Sequence, residues 1–262
     1  MKFEERVYQF INNLSPYKTR SRSCTKEYLN YQQEKAILLK KIMPGLEYKN
    51  KSILEVGCGE GGLSTYFAAS KAKQVIGIDV CEKKLKFAKK LKKEKKLKNC
   101  KFEMCDAKQL PFKNNEFDLV VSYDSMEHFD DPYKILKEMK RVLKPEGDII
   151  AWFTNWDSHN AHHSPTKIPW AHLIFSEKII MKHRSKFIGN NKKRYKDIIL
   201  NKINYQRFEK ITNKLGFDIK ERFLLPTGVK LPFLFRLLKD YISYFPFIRK
   251  YFVSTVFIRL NK

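Results

Sequence analysis

Glycines and carboxylates are concentrated in one short stretch of the chain, "ILEVGCGEGGLS". Gly57, Gly59 and Gly62 have the spacing at which dinucleotide-binding proteins turn the backbone against a pyrophosphate at a helix N-terminus. Glu55 and Glu60 put negative charge where a pyrophosphate would need positive potential. The same carboxylates would attract a ligand that carries an ammonium or sulfonium group. The stretch therefore favours a cationic nucleotide over a nicotinamide dinucleotide.

The glycine stretch lies in a regular alternation of strand and helix patterns. From Ser52 onward the segments are "SILEV", "GLSTYFAAS", "QVIGID", a lysine-rich helix, "KFEMCD", "FDLVVS", "DPYKILKEMKRVLK" and "DIIAWFT". The last of these helices is predicted to stop at Pro145–Gly147, before the next strand. Further along, "NYQRFEKITNKLG", "FDIKERFLL" and "FVSTVFIRL" add a helix and two strands. This alternation predicts an α/β fold with a mostly parallel sheet and covering helices.

The charge of the chain is strongly positive. Its 262 residues contain 53 Lys and Arg against 28 Asp and Glu, which gives a formal net charge of +25. Such a charge is compatible with nucleic acid, an anionic membrane surface or acidic substrates. The densest run of lysines also carries Leu85, Ala88, Leu91 and Leu97 at helical spacing. We therefore interpret the run first as an amphipathic helix with a solvated basic face.

Cysteine usage and the chain ends bear on the compartment. The five cysteines form no Cys-x-x-Cys pair, so neither a disulfide framework nor a zinc site is indicated. The N-terminal residues show no secretory signal, and charges interrupt every apolar run before it reaches the length of a transmembrane helix. We expect a cytoplasmic protein without a transmembrane segment. Peripheral membrane contact by "LLKDYISYFPFIRKYF" is an alternative to that segment covering a sheet edge.

Four segments together resemble the class I methyltransferases that use S-adenosylmethionine, in the group of small-molecule and ubiquinone-biosynthesis enzymes. They are "ILEVGCGEGGLS", "VIGIDVCEKKLKFAKK", "CDAKQLPFKNNEFDLVVS" and "SMEHFDDPYKILKEMKRVLKPEGDIIAWF", and they span roughly residues 50 to 155. The resemblance implies a Rossmann-like, seven-stranded, mostly parallel sheet with helices on both faces. It also implies that the last strand is antiparallel and lies beside the fifth. The cofactor it implies is S-adenosylmethionine.

The resemblance also implies which positions contact the cofactor, at the glycine turn and at the ends of the next strands. These positions are Glu55, Gly57, Gly59, Gly61, Asp79, Val80, Asp106, Ala107 and Tyr123. Asp79 would accept hydrogen bonds from both ribose hydroxyls, which suits a carboxylate because it only accepts. Asp106 and Ala107 would meet the adenine, and Tyr123 with Asp124 would supply the remaining close contacts. Glu55 would orient the methionine end through its ammonium group or through the adjacent turn.

His128 is the candidate catalytic residue. It follows the fourth strand in "SMEHFDD", and the carboxyl ends of strands face the ligand crevice in folds of this kind. A histidine with its ordinary pKa of about 6.5 could act as a general base. Methyl transfer needs a base only where the acceptor atom must lose a proton. The alternative is that His128 packs locally and shapes the pocket.

Two segments are candidates for binding the acceptor. "SPYKTRSRSCTKEY" places Tyr17 and Arg20 in a region that caps the active site in the resembling family. An arginine there could clamp a carboxylate or phosphate, and the alternative is that it is simply solvated. The second segment is the insertion that follows the strand "DIIAWFT", and its His162 and His163 are candidate acceptor residues. With His159 these histidines would share one face of a helix, but no obvious carboxylate or cysteine completes a metal site. No metal is predicted.

We divide the chain into four parts. They are an N-terminal helical cap over 1–50, a cofactor-binding core over 51–155, an insertion that forms an acceptor lid over 156–204, and a C-terminal part of the core with an aromatic insertion over 205–262. The third part rests on the loss of the strand and helix alternation for about fifty residues. Loops of that length are usually functional lids or small subdomains.

The function expected from these residues is methyl transfer from S-adenosylmethionine to an O, N or C atom of a metabolite, a sugar or a lipid-like small molecule. The positive charge keeps an RNA or protein methyltransferase as an alternative. The fourth strand is followed by "SYDSMEHF", which lacks the prolines expected of enzymes that methylate adenine amino groups. A non-catalytic binding protein is a third alternative, which the retained Glu55, Asp79 and Asp106 disfavour.

Overall fold

The computed structural model describes residue 34 and residues 36–159, 161, 168–188, 193–198, 200–226, 251 and 253–262. The seven strands are β1 Ser52–Val56, β2 Gln74–Asp79, β3 Cys100–Met104, β4 Phe117–Tyr123, β5 Leu143–Thr154, β6 Asp218–Pro226 and β7 Val253–Asn261.

The strands form one sheet in the order β3-β2-β1-β4-β5-β7-β6. Neighbours from β3 to β5 are parallel, and β7 is antiparallel to both β5 and β6. The last strand is therefore inserted beside the fifth. The fold class predicted from the sequence, including the antiparallel last strand, is confirmed.

Helices cover both faces of the sheet. They are α1 over 36–42, α2 Gly62–Ala69, α3 Glu82–Glu94, α4 Pro132–Val142, α5 Ala171–Ile174, α6 Glu177–Ile188 and α7 Tyr205–Lys214, with 3-10 turns at Met126–His128 and Tyr195–Ile198. Leu39, Phe67 and Leu85 carry α1, α2 and α3 onto one face. Leu136 and Phe208 carry α4 and α7 onto the other. The amphipathic interpretation of the lysine-rich run holds for α3, whose buried residues are Leu85 and Ala88.

Helix starts in the second half of the core are set by side chains that cap them. Asp131 precedes α4 and accepts a hydrogen bond from the Lys134 amide, with Pro132 at the first helical position. Asn204 caps α7 in the same way, through the Arg207 amide. A capping oxygen satisfies an amide that has no partner inside the helix, so both helices begin at a defined residue.

The boundary between α4 and β5 differs from the prediction. The helix ends at Val142 and the strand begins at Leu143, so the segment expected to separate them belongs to the strand. Leu143 pairs with Phe117 and the register then shifts. Strand β7 joins β5 only from Asp148 onward, so Pro145 lies where that side of β5 is unpaired. A proline is tolerated there because no ladder bond needs its missing amide.

The insertion after β5 has a small core of its own. Ile168, Phe175, Ile180, Met181 and Tyr195 are buried together, with Trp156 packed against them. His159 lies in a turn, so the helix assumed for the three histidines does not include it. Across the described residues, no helix combines the length and apolarity needed to cross a bilayer.

Candidate active site

The glycine turn joins β1 to α2 through left-handed backbone conformations. Gly57, Gly59 and Gly61 have φ values of 79°, 54° and 78°. Side chains other than glycine are strained in this region. Space is also short at Gly57, because a Cβ there would lie 2.5 Å from the Ser125 hydroxyl oxygen. The third glycine of the turn is thus Gly61, and Gly62 already belongs to α2.

Glu55 lies beneath this turn and is 1% exposed. Its carboxyl group accepts a short hydrogen bond from the Ser64 hydroxyl. Burial raises the pKa of Glu55 to about 8, although the Ser64 hydrogen bonds oppose the shift. Burial also raises the pKa of Glu60, which lies in the turn itself. Glu55 is therefore a buried support of the turn, with α2 as its direct partner.

Asp79 ends β2 and fixes the glycine turn from the side. Its carboxylate accepts hydrogen bonds from the Gly59 amide at 2.9 Å and from the Cys81 amide at 2.8 Å. The turn is also tied to β2 because the Gly57 and Cys58 amides both donate to the Ile78 carbonyl. The predicted ribose carboxylate and the predicted methionine turn therefore touch each other.

The ends of β2 and β3 expose apolar side chains beside Asp79. Val80 is 65% exposed and Met104, the last residue of β3, is 68% exposed. Ala107, two residues beyond Cys105, is buried. The two exposed apolar side chains lie at the carboxyl ends of neighbouring strands, because Asp79 pairs with Met104.

Asp106 lies beyond this apolar surface in a small charged cluster. It accepts a hydrogen bond from the Lys108 amide at 2.9 Å, and the Lys108 ammonium lies 3.5 Å from its carboxylate. The same ammonium bonds Asp130 at 2.6 Å. Lys108 thus connects the loop after β3 with the loop after β4.

Tyr123 and Asp124 lie at the end of β4. The Tyr123 ring is buried and stacks on Trp152, with 4.6 Å between centroids. Asp124 has a φ of 50°, which is uncommon for a residue with a side chain, and its amide bonds the Trp152 carbonyl at 2.8 Å. Such a backbone turn directs the chain away from the sheet into the following 3-10 turn. Ser125 then donates to the Gly57 carbonyl at 2.9 Å.

The 3-10 turn that carries His128 is held by a residue of the insertion. The Asn201 side-chain amide donates to the Met126 and Phe129 carbonyls, each at 2.7 Å. Its backbone amide donates to the Glu127 carbonyl at 3.0 Å. The partly buried His128 is therefore on a fixed turn at the carboxyl edge of the sheet.

Glu127, the neighbour of His128, is a second buried carboxyl group at this edge. It is 5% exposed, and its Oε1 accepts a hydrogen bond from the Thr154 amide at the end of β5, at 3.3 Å. Burial, with a contribution from Asp124, raises the pKa of Glu127 to about 8. The burial of Glu127 could not be predicted from the sequence, because an acidic residue in a polar segment gives no signal of burial.

The candidate acceptor residues are only partly described. Tyr17, Arg20, His162 and His163 lie outside the described residues. His159 and His172 are described, and burial lowers the pKa of each to about 4. His172 bonds the Trp156 carbonyl at 2.7 Å and its ring packs edge-on against Trp156. These two histidines are therefore neutral residues of the insertion core.

Within the described part of the chain, no group of three or more His, Cys, Asp or Glu side chains could hold a metal ion. The four described cysteines, Cys58, Cys81, Cys100 and Cys105, are free thiols.

Comparison with known proteins defines the class. A family model described as a methyltransferase domain matches residues 47–210, which include the whole glycine turn, Asp79 and Glu127. The chain belongs to the class I S-adenosylmethionine-dependent methyltransferases. A solved structure from Pyrococcus horikoshii OT3 shares the fold, with a TM-score of 0.62, 21% identity and coverage of 97% of this chain and 98% of that one.

Two curated relatives indicate the range of enzymes that the chain resembles. It is 35% identical over 133 residues to a chloroplastic tocopherol O-methyltransferase of Arabidopsis thaliana. The matched region covers 50% of this chain and 38% of that relative. The chain is 28% identical over 221 residues to a demethylmenaquinone methyltransferase of Staphylococcus saprophyticus, covering 82% and 89%. The chain therefore spans well under half the length of the first of these relatives.

Proposed function

We propose that this protein transfers a methyl group from S-adenosylmethionine to an O, N or C atom of a small-molecule acceptor. The observation that carries the proposal is the contact between Asp79 and the glycine turn, at 2.9 Å to the Gly59 amide. This contact joins a carboxylate suited to a diol with a left-handed glycine turn. Both lie at the carboxyl ends of adjacent central strands, where ligands bind in sheets of this type.

Each part of the cofactor would have a chemically matched partner. Asp79 would accept from the ribose hydroxyls while it holds the turn. The exposed Val80 and Met104 would contact the adenine faces, and Asp106 would accept from the adenine amino group. The glycine turn, supported by Glu55, would hold the methionine end. When bound, the cofactor supplies a methyl group on a positively charged sulfur.

The acceptor side would be formed by the turn after β4 and by the insertion. Asn201 holds that turn in place, and the residues around it determine how the acceptor approaches the methyl group. Positioning alone can supply much of the rate in such a reaction. His128 would take a proton where the acceptor is a hydroxyl or an amine.

A small-molecule acceptor is favoured by the relatives whose names state an acceptor. Tocopherol and demethylmenaquinone are both ring compounds with lipid tails, and they are substrates named for the relatives. For this chain we propose an acceptor of the same broad kind, an aromatic or lipid-like molecule of low mass.

The test is a methylation assay with a methyl-labelled donor. The protein would be incubated with labelled S-adenosylmethionine in two sets of reactions. One set contains a panel of phenols and reduced quinones, and the other contains total RNA. We expect label in a small-molecule product and its loss in Asp79→Ala. Label only in RNA or in protein would replace the small-molecule acceptor with a macromolecular one. No donor binding by the unaltered protein would overturn the proposal.

A further inference from the structure

The Glu127 carboxyl group, like that of Glu60 in the glycine turn, has a buried oxygen without a hydrogen-bond partner among the described residues. In Glu127 this oxygen is Oε2, whereas Oε1 accepts from the Thr154 amide. Burying an ionised carboxylate with an unsatisfied oxygen is costly. Two states relieve that cost. The group can carry a proton, or a positive charge can lie close to it.

Among the described residues, the charge that acts most strongly on Glu127 is negative. Asp124, which acts on Glu127 from the end of β4, is itself acidic and favours the protonated state. Lys202 follows Asn201 on the insertion side, but its ammonium pairs with Glu177 at 3.3 Å. His128 is the remaining titratable neighbour on the same turn. The free protein therefore favours a protonated Glu127, in line with its raised pKa.

The turn that carries Glu127 lies between the glycine turn and the insertion, which the proposed function assigns to the cofactor and to the acceptor. This turn touches the glycine turn through Ser125, which donates to the Gly57 carbonyl at 2.9 Å. The same turn touches the insertion through Asn201. An acceptor on this side would have to meet the methyl group here, so the sulfonium would be the cofactor charge that acts on Glu127.

We propose that Glu127 is a charge-sensing residue that distinguishes S-adenosylmethionine from S-adenosylhomocysteine by ionising when the sulfonium is bound. This inference rests on the proposed function. The Glu127 carboxylic acid would give its proton to the buffer when the donor binds, and the positive charge of the sulfonium would stabilise the carboxylate. S-adenosylhomocysteine carries the same ammonium but a neutral sulfur, so it leaves Glu127 protonated. The site thus favours the donor and releases the product.

Calorimetry in two buffers of different ionisation enthalpy tests the proposal. A carboxyl with a pKa of about 8 is about nine-tenths protonated at pH 7, so release of up to about 0.9 proton is expected with S-adenosylmethionine. Release with S-adenosylhomocysteine should be clearly smaller. Any proton displaced from Glu55 by the shared ammonium group would appear with both ligands and cancel in the difference.

The informative variant is Glu127→Gln, which retains an oxygen to accept from the Thr154 amide. We expect it to abolish the difference in proton release and to bring the affinities of the two ligands closer together. Asp118→Asn is the matched control, because this carboxylate bonds the Ser52 amide at 2.8 Å near the opposite edge of the sheet. It should leave the difference intact. A difference that persists in Glu127→Gln would overturn the proposal.

The unaltered protein offers a second measurement that does not depend on a variant folding. The preference for S-adenosylmethionine over S-adenosylhomocysteine should rise with pH below about pH 8, by at most about tenfold per unit, and be constant above it. A preference that does not change between pH 6 and 8, or equal proton release with both ligands, would overturn the charge-sensing role of Glu127 and leave the proposed function intact. Failure of both ligands to bind would overturn the proposed function as well.

Discussion

Replacing Asp79 tests the proposed ribose contact directly, and folding has to be measured beside it because the same carboxylate holds the glycine turn. The carboxylate accepts two main-chain hydrogen bonds, from Gly59 at 2.9 Å and Cys81 at 2.8 Å, and it is the proposed partner of the ribose. Hydrogen bonds to a charged group contribute about 1.5–3 kcal/mol. Asp79→Ala should therefore weaken S-adenosylmethionine binding by about 10- to 150-fold.

Asp79→Asn should fall between the two proteins. One amide oxygen can accept from either the Gly59 or the Cys81 amide, while its NH2 group faces the other donor. Calorimetric titration of the three proteins measures the affinities, and thermal melting shows whether each is folded. Asp118→Ala removes a carboxylate that also accepts a main-chain amide, from Ser52 at 2.8 Å, and should leave the affinity unchanged. Unchanged affinity in Asp79→Ala would mean that the ribose lies elsewhere.

Three other substitutions test separate parts of the site. His128→Ala should slow methyl transfer and leave S-adenosylmethionine affinity unchanged, because a base acts on the acceptor; a normal rate would make His128 a packing residue. Gly57→Ala should lower the free energy of unfolding by about 2 kcal/mol or more, since its φ is 79° and its Cβ would lie 2.5 Å from the Ser125 hydroxyl oxygen. Gly45→Ala, with nothing within 4 Å, should be near neutral, and equal urea midpoints for the two variants would contradict the clash. Glu55→Gln should flatten the pH dependence of stability, because burial raises the folded-state pKa of Glu55 from 4.5 to about 8. The native protein then binds the extra proton across that window, so its unfolding free energy falls as pH rises from about 4.5 to 8. Melting temperatures that fall equally steeply in both proteins would count against this.

The sheet could be predicted because its signals are local. Strand β1 is a short apolar run that ends directly before Gly57, and β2 is one that ends at Asp79, as the sequence indicates. The left-handed turn at Gly57 and Gly59 is likewise encoded by residues that adopt it without strain. The position of the last strand beside the fifth and its antiparallel direction were predicted from the family resemblance.

Features that depend on distant contacts could not be read from the sequence. The β5 boundary is set by Leu143 pairing with Phe117 and by β7 joining only at Asp148, neither of which a proline and glycine signal reveals. Burial of Glu127 depends on a turn held by Asn201, which is 75 positions from Met126. A polar segment that a remote side chain fixes has the same local pattern as a solvated loop.

The measurement that tests the central claim most directly is calorimetric titration of the purified protein with S-adenosylmethionine and, separately, with NADH. The turn beneath which Glu55 is buried and which Asp79 holds should bind S-adenosylmethionine at micromolar concentration and leave NADH unbound. Binding of NADH alone would identify a dinucleotide site and contradict the assignment of the glycine turn. Binding of neither would leave a methyltransferase fold without its cofactor and favour a binding role.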